Sequence, residues 1–145
     1  MKRITVLLAD DNKVVRSDFR KMLEIENDLE LVGEAKNGRQ AVAMVKTLLP
    51  ALVLMDIGMP LINGLQATRE ILIAAPATKV LMISAHTDDV YVEEAMNSGA
   101  MGYLIKQTSS GDLCFAIREI HKGNTFFSPS IPKRLQKRFR SKQLS

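Results

Sequence analysis

The hydrophobic positions of this chain fall into two textures that alternate along it. One is the short, nearly unbroken apolar run: Ile4 to Ala9, Leu52 to Met55 and Lys79 to Ser84, with a briefer Met101 to Ile105 and a more mixed Leu29 to Ala35. Runs of this length, bounded by turn residues, suit strands buried on both faces of a parallel sheet. Leu29 to Ala35, with Glu30 and Glu34 interspersed, suits an edge strand. The other texture is helical period. Between Lys13 and Glu26, the positions Val15, Phe19, Met22, Leu23 and Glu26 share a stripe, with Arg16, Arg20, Lys21 and Glu24 largely outside it. Similar segments run from Asn37-Gly38 to Leu49, with Ala41, Val42, Val45, Leu48 and Leu49 inward, and from Asn63-Gly64 to Ala74, with Leu65, Thr68, Ile71 and Leu72 inward. Two more span Asp88 to Asn97 (Val92, Ala95, Met96) and Asp112 to Lys122 (Leu113, Ala116, Ile117, Ile120). Pro50, Gly99 and Gly123 mark helix ends, and Ser109 or Ser110 can cap the last start.

Strands alternating with helices predict right-handed crossovers into one parallel sheet. The expected class is α/β, a doubly wound five-stranded parallel sheet with helices on both faces. Five strands in about 124 residues favour the flavodoxin-like order 2-1-3-4-5, whose switch point lies between strands 1 and 3. Ligands collect at the carboxyl ends of such strands, and there the chain concentrates its unusual residues. Strand 1 ends in Asp10-Asp11, strand 3 in Asp56, strand 4 in Ser84 and strand 5 in Lys106. An acid at the end of a buried strand is costly unless it faces an open, functional mouth.

Three carboxylates gathered there repel one another, so one stays protonated or a cation joins them. A hard divalent ion, Mg²⁺ in a cell, resolves the repulsion with oxygen ligands. Carboxylate, metal, ammonium and hydroxyl together are what phosphoryl transfer to an aspartate requires. Taken singly, the pieces have plainer readings: Asp10-Asp11 as a helix-start pair with Asn12, Lys106 as a surface lysine, Ser84 as a turn residue, Tyr103 as half-buried packing. His86 reads as an exposed loop histidine and Cys114 as a small apolar residue packed on the last helix.

The 145 residues suffice for one domain with a core. With 46% hydrophobic and 25% charged residues the chain reads as a soluble globular protein, and no run approaches the roughly 20 apolar residues of a membrane span. Asp10 and Asp11 interrupt the first apolar run too early for a signal peptide. The one cysteine excludes an intramolecular disulfide and fits a reducing, cytoplasmic setting. The net charge of +4 is unevenly spread. Residues 1–124 carry 14 Lys and Arg against 16 acids, a net of −2, whereas residues 125–145 carry 6 Lys and Arg and no acid.

In these residues the chain resembles the receiver domains of two-component response regulators. The resemblance covers residues 4–123 and rests on the acid pair, Asp56-Ile-Gly-Met-Pro60, Ser84-Ala85 and Gly102-Tyr-Leu-Ile-Lys106. It implies the CheY-like form of the fold, Asp56 as phosphoacceptor from a sensor histidine kinase, and Mg²⁺ held by Asp10, Asp11, Asp56 and the Gly58 backbone carbonyl. Ser84 would hydrogen-bond the phosphoryl group, Lys106 would pair with it, and Tyr103 would be the aromatic switch that turns inward with Ser84. Gly58 and His86 fall where the family tunes self-dephosphorylation. Gln107 departs from the cis-proline many members carry after the lysine, which puts that loop's geometry in question. A phosphatase of the haloacid-dehalogenase kind would need an acid at Gly58, and a flavin site would need a phosphate loop after strand 1. The expectation is therefore a switch that stores a phosphoryl group, not an enzyme turning over an external substrate.

Thr108-Ser109-Ser110 and Phe127-Ser128-Pro129 extend the resemblance to the NarL/FixJ (LuxR) type, in which a DNA-binding helix-turn-helix domain follows. The organisation expected is a receiver over 1–124 and a basic linker over 125–145, leading to an output domain missing from this chain. Transcription would then be regulated through DNA by that domain, with a homodimer formed on phosphorylation. The alternative is a stand-alone receiver serving as phosphorelay intermediate or partner-binding adaptor. Ile131, Leu135 and Phe139 recur at spacing four among Lys133, Arg134, Lys137, Arg138 and Arg140. A helix from Ser130-Pro132 over 131–142 fits this pattern, either solvated and weakly docked or, with less support, touching nucleic acid.

Overall fold

A computed structural model describes residues 2–144, with side chains described as far as Arg140. The chain order is β1 (Ile4–Ala9), α1 (Lys13–Glu24), β2 (Leu29–Ala35), α2 (Gly38–Leu48), β3 (Leu52–Asp56), α3 (Gly64–Ala74), β4 (Lys79–Ser84), α4 (Asp89–Asn97), β5 (Gly102–Ile105), α5 (Ser110–His121), β6 (Phe126–Phe127) and α6 (Lys133–Leu144). All strand pairs are parallel, in the order β2-β1-β3-β4-β5-β6. The expected flavodoxin-like order is present, with a sixth strand added beyond β5.

Alternation along each strand divides the core. Leu7, Ala9, Val53, Met55, Val80, Met82 and Tyr103 face α2, α3 and α4, whereas Val6, Leu8, Leu52, Leu54, Leu81, Ile83 and Leu104 face α1 and α5. Side chains of adjacent strand residues point to opposite faces, so a run apolar at every position is what a sheet covered on both sides demands. Asn12, Asn37, Asn63 and Ser109 cap their helices, each side-chain oxygen accepting from a first-turn N–H.

Several details depart from the periodic pattern. α1 ends at Glu24, and Glu26 instead accepts from Arg118 of α5 at 2.6 Å. Arg16, expected outside the stripe, is buried beside Phe19 and Leu23. Leu48 and Leu49, expected inward, are exposed, because α2 ends there and Leu49 turns left-handed at φ 46°. β5 begins at Gly102, and α5 begins at Ser110.

The basic segment is no free-standing linker. Phe126 and Phe127 pair with Gly102 and Tyr103 of β5, and a Cβ on Gly102 would lie only 2.5 Å from the Phe126 carbonyl oxygen. Glycine is what lets this edge strand approach. Ile131, Leu135 and Phe139 are 1%, 2% and 3% exposed and join the core of the α2–α4 side. The side chain of Lys142 lies outside the described residues. Among the described residues, no helix is long and apolar enough to cross a membrane.

Candidate functional site

The polar strand ends expected from the sequence converge. Asp10, Asp11 and Asp56 each bring a carboxylate oxygen within 4.8 Å of the others, with Asp10 and Asp56 buried and Asp11 exposed. The Lys106 ammonium lies 2.9 Å from Asp10 Oδ2 and 3.3 Å from Asp56 Oδ1. Asp11, Asp56, Ile57, Gly58, Ser84, Ala85, His86, Tyr91 and Lys106 line an open cavity of about 400 Å³. Another groove, about 500 Å³ along β2, is lined by charges such as Arg20 and Glu34 that already pair with each other.

Electrostatics follow from this crowding. Burial pushes the Asp56 carboxyl above its ordinary range, and the charge of Asp10 pushes it further, against the opposing pull of Lys106 and the Gly58 N–H. Burial also works against the Lys106 ammonium, but the neighbouring Asp10 and Asp56 carboxylates more than offset it, and its pKa is raised. Asp10 Oδ2 is fully enclosed and accepts no well-formed hydrogen bond, so the nearby ammonium is its one compensation. A buried oxygen left in this state, among three carboxylates, fits a hard, oxygen-liganded cation.

The Ser84 hydroxyl accepts from the His86 N–H at 3.0 Å. Tyr103 is fully buried, its hydroxyl donating to the His86 carbonyl at 2.7 Å, and burial raises its pKa. The His86 imidazole is exposed, as expected, but stacks on Tyr91 of α4 with ring centroids 4.2 Å apart. The peptide after Lys106 is trans, as are all the described peptide bonds, so Gln107 does not reproduce a cis turn. Cys114 is buried on α5 as expected, and burial raises its thiol pKa.

Two close approaches set the position of Asp56. Gly64, at the start of α3, has its Cα so near β3 that a Cβ would sit 2.2 Å from the Asp56 carbonyl oxygen. Its N–H donates to the Ile57 carbonyl at 2.8 Å, closing the loop that carries Gly58. The asparagine before it caps α3, so one dipeptide both starts the helix and draws it against the strand end.

Arg16 is the residue whose role the pattern of charges concealed. Its guanidinium donates to the Asp10 backbone carbonyl at 2.7 Å and lies 3.3 Å from Glu34 of β2, pinning the strand end from below while the carboxylate faces the cavity. Its spacing with Phe19 and Leu23, three and seven residues on, was the available signal for burial. Glu34 is held below the usual carboxylate range, chiefly by its hydrogen bonds from Arg20. Arg16→Met should cost about 2 kcal/mol, since a buried carbonyl and part of a buried ion pair lose their donor. Arg20→Met, at a more exposed pair, should cost less than Arg16→Met. Urea titrations of both variants check this; equal losses would contradict the buried role of Arg16.

The comparisons agree on the family. Residues 6–118 match the sequence model of the response regulator receiver domain. The chain is 33% identical over 138 residues to the transcriptional regulatory protein DegU of Brevibacillus brevis, covering 95% of this chain and 58% of that protein. It is 34% identical over 139 residues to the response regulator protein VraR of Staphylococcus aureus, covering 96% and 66%. The chain thus spans about three-fifths to two-thirds of the length of these relatives. Among solved structures, the signal receiver domain of the response regulator NarL from Mycobacterium tuberculosis superposes with a TM-score of 0.83 at 30% identity, over 86% of this chain and all of that one. A two-component response regulator of the LuxR family from Aurantimonas sp. SI85-9A1 superposes at 0.87 with 28% identity, over 94% of this chain and 98% of that one.

Proposed function

The chain belongs to the response regulator receiver family, and from that premise we propose that Asp56 accepts a phosphoryl group from a sensor histidine kinase and stores it as a signal. The observation that carries this is the convergence of Asp10, Asp11 and Asp56 around a cavity that also contains Lys106 and Ser84. An Asp56 carboxylate oxygen attacks phosphorus, the P–N bond to the kinase histidine breaks, and the imidazole leaves with its electron pair. The product is an acyl phosphate on Asp56. Lys106, already within ion-pair distance of Asp56, neutralises charge on the phosphoryl oxygens, and the Ser84 hydroxyl donates to one of them.

Asp10, Asp11, Asp56 and the Gly58 carbonyl would hold Mg²⁺, as the oxygen donors and the buried Asp10 Oδ2, which accepts no hydrogen bond, suit. When bound, it supplies charge neutralisation that lets a dianionic phosphoryl group enter an acidic cavity. Gly58 presents no carboxylate and a Cβ there would meet open space, so no acid stands at that position to drive turnover. Storage with slow loss to water suits this arrangement better than catalysis on an external substrate. Ser84 and Tyr103 form the switch, linked through the two backbone groups of His86.

The proposed output is control of transcription, as in the relatives named transcriptional regulators. It would be exerted through DNA contact by a further domain, with phosphorylation favouring a homodimer in the cytoplasm. Organisation into a receiver and a connecting basic segment is part of the same reading. Direct DNA contact by α6 is less favoured, because Arg134 and Arg138 face acids of α4. The test is incubation of the full chain with radiolabelled acetyl phosphate and Mg²⁺. A label sensitive to hydroxylamine and abolished by chelation is expected; a label resistant to hydroxylamine would place the phosphoryl group on another kind of side chain.

A further inference from the structure

Just past the residues that match the receiver family, one side chain makes a bond that the sheet would ordinarily make with its backbone. The family match covers residues 6–118, whereas Ser128 directly follows the two-residue strand β6 and is buried. Its N–H donates to the Tyr103 carbonyl at 3.0 Å, which carries the parallel ladder between β5 and β6 one step further. In a regular parallel ladder the Ser128 carbonyl would then accept from the Ile105 N–H. That carbonyl instead accepts from the Ile131 N–H at 3.0 Å, closing a turn over Pro129 and Ser130. Serine at the first position and proline at the second suit such a turn. The Ile105 N–H goes to the Ser128 hydroxyl at 2.8 Å. The hydroxyl therefore stands in for the carbonyl of its own residue, and the chain leaves the sheet without orphaning the amide at the end of β5.

That amide is one residue before Lys106. The next one, the Lys106 N–H, points the other way and donates to the Ser84 carbonyl of β4 at 2.9 Å. The lysine backbone is thus held from both sides, by Ser84 directly and by Ser128 through Ile105. After Lys106 the chain enters the loop to α5, so the hold on the lysine comes from the strand side. Its ammonium lies 2.9 Å from Asp10 Oδ2 and 3.3 Å from Asp56 Oδ1, at the end of a flexible four-carbon stem. Such a stem is aimed only as well as its Cα is fixed.

We propose that Ser128 is a positioning residue for phosphoryl transfer: its hydroxyl fixes the end of β5 and so holds Lys106 where it meets the phosphoryl oxygens. This rests on Asp56 being the acceptor and Lys106 its charge partner. Alanine at this position leaves the Ile105 N–H without an acceptor, because the Ser128 carbonyl is committed to the turn. Threonine keeps the oxygen.

The test uses the full chain with Ser128→Ala, Ser128→Thr and, at the exposed residue of the same turn, Ser130→Ala. Hydroxylamine-sensitive labelling by acetyl phosphate is timed at saturating Mg²⁺, Mg²⁺ affinity is measured by calorimetry, and urea titration gives the folded fraction. Expected are labelling slowed roughly tenfold in folded Ser128→Ala, Mg²⁺ binding no weaker than in wild type, and rates close to wild type in Ser128→Thr and Ser130→Ala. Lys106 offers the metal no lone pair while charged, so this split separates a misplaced lysine from a general loosening of the site, which weakens both. Folded Ser128→Ala that labels at the wild-type rate, Mg²⁺ binding that weakens in step with labelling, or a folded threonine variant as slow as alanine overturns the inference and leaves the acceptor reading intact. Wild-type protein that takes up no hydroxylamine-sensitive label overturns the acceptor reading, and the positioning role with it.

Discussion

Asp56→Asn is expected to abolish hydroxylamine-sensitive phosphorylation and, in metal-free buffer, to make the protein more stable. Amide nitrogen and oxygen cannot displace the kinase imidazole, so labelling should fall to background. The gain in stability comes from the surroundings of the carboxylate. Asp56 is 5% exposed beside Asp10, and burial and like charge both raise its pKa. A carboxyl raised in the folded state binds its proton more tightly there than in the unfolded chain. Stability therefore falls as pH rises from the ordinary carboxylate pKa through the raised folded value, and the penalty is fully present above it. Asparagine removes that penalty, and Lys106 retains Asp10 as a partner at 2.9 Å. At neutral pH the variant should gain on the order of 1 kcal/mol, read as a higher midpoint in thermal or urea unfolding with chelator present. The gain should vanish at low pH, where wild-type Asp56 is also neutral. A variant no more stable than wild type at neutral pH would mean that Lys106 compensates Asp56 fully.

Gly64→Ala is the second large effect, and it acts through backbone contact. The added methyl group would stand 2.2 Å from the Asp56 carbonyl oxygen and 2.8 Å from the Ile57 Cα, neither of which is the end of a flexible side chain. The intrinsic preference of a helix for alanine favours the substitution by about 1 kcal/mol at most. Overpacking against main chain costs about 1–3 kcal/mol or more, so the contact wins and a net loss is expected. Relief requires α3 to withdraw from the end of β3, which displaces Asp56 and the Gly58 loop. Phosphorylation by acetyl phosphate should therefore slow by more than tenfold even in molecules that remain folded. Urea titration and labelling measured on the same preparation distinguish this from simple unfolding. A folded variant that labels at the wild-type rate would show that the close approach is dispensable for the site.

The strands were legible because a sheet covered on both faces leaves a plain signature, such as Leu52 to Asp56, where every residue is buried. The site was legible for a related reason: an ionised residue ending such a run has few structural excuses, and Asp10, Asp56 and Lys106 came together as those positions implied. Other features depended on contacts that have no local signature. Gly64 read as part of a helix start, and its closeness to the Asp56 carbonyl needs the packed fold to be seen. Arg16 carried a charge on what is the buried face, and its bond to the Asp10 carbonyl and its pairing with Glu34 explain it. The strand at Phe126 and Phe127 is too short to show alternation, and it exists because Gly102 lets it approach. α6 was read correctly as a periodic helix, but whether its apolar seam was solvated or covered depended on Asp89 and Glu93 lying across from its arginines.

The two aromatic residues around His86 also equip the protein with its own optical reporter. The sequence has no tryptophan and only two tyrosines, Tyr91 and Tyr103. One lies against the imidazole that borders the cavity and the other donates to the carbonyl of the same residue. Ultraviolet emission excited in the tyrosine band therefore originates entirely from the neighbourhood of the phosphoacceptor. Spectral changes on adding a cation or a phosphodonor can be followed continuously, without an attached dye and without a background from distant parts of the fold.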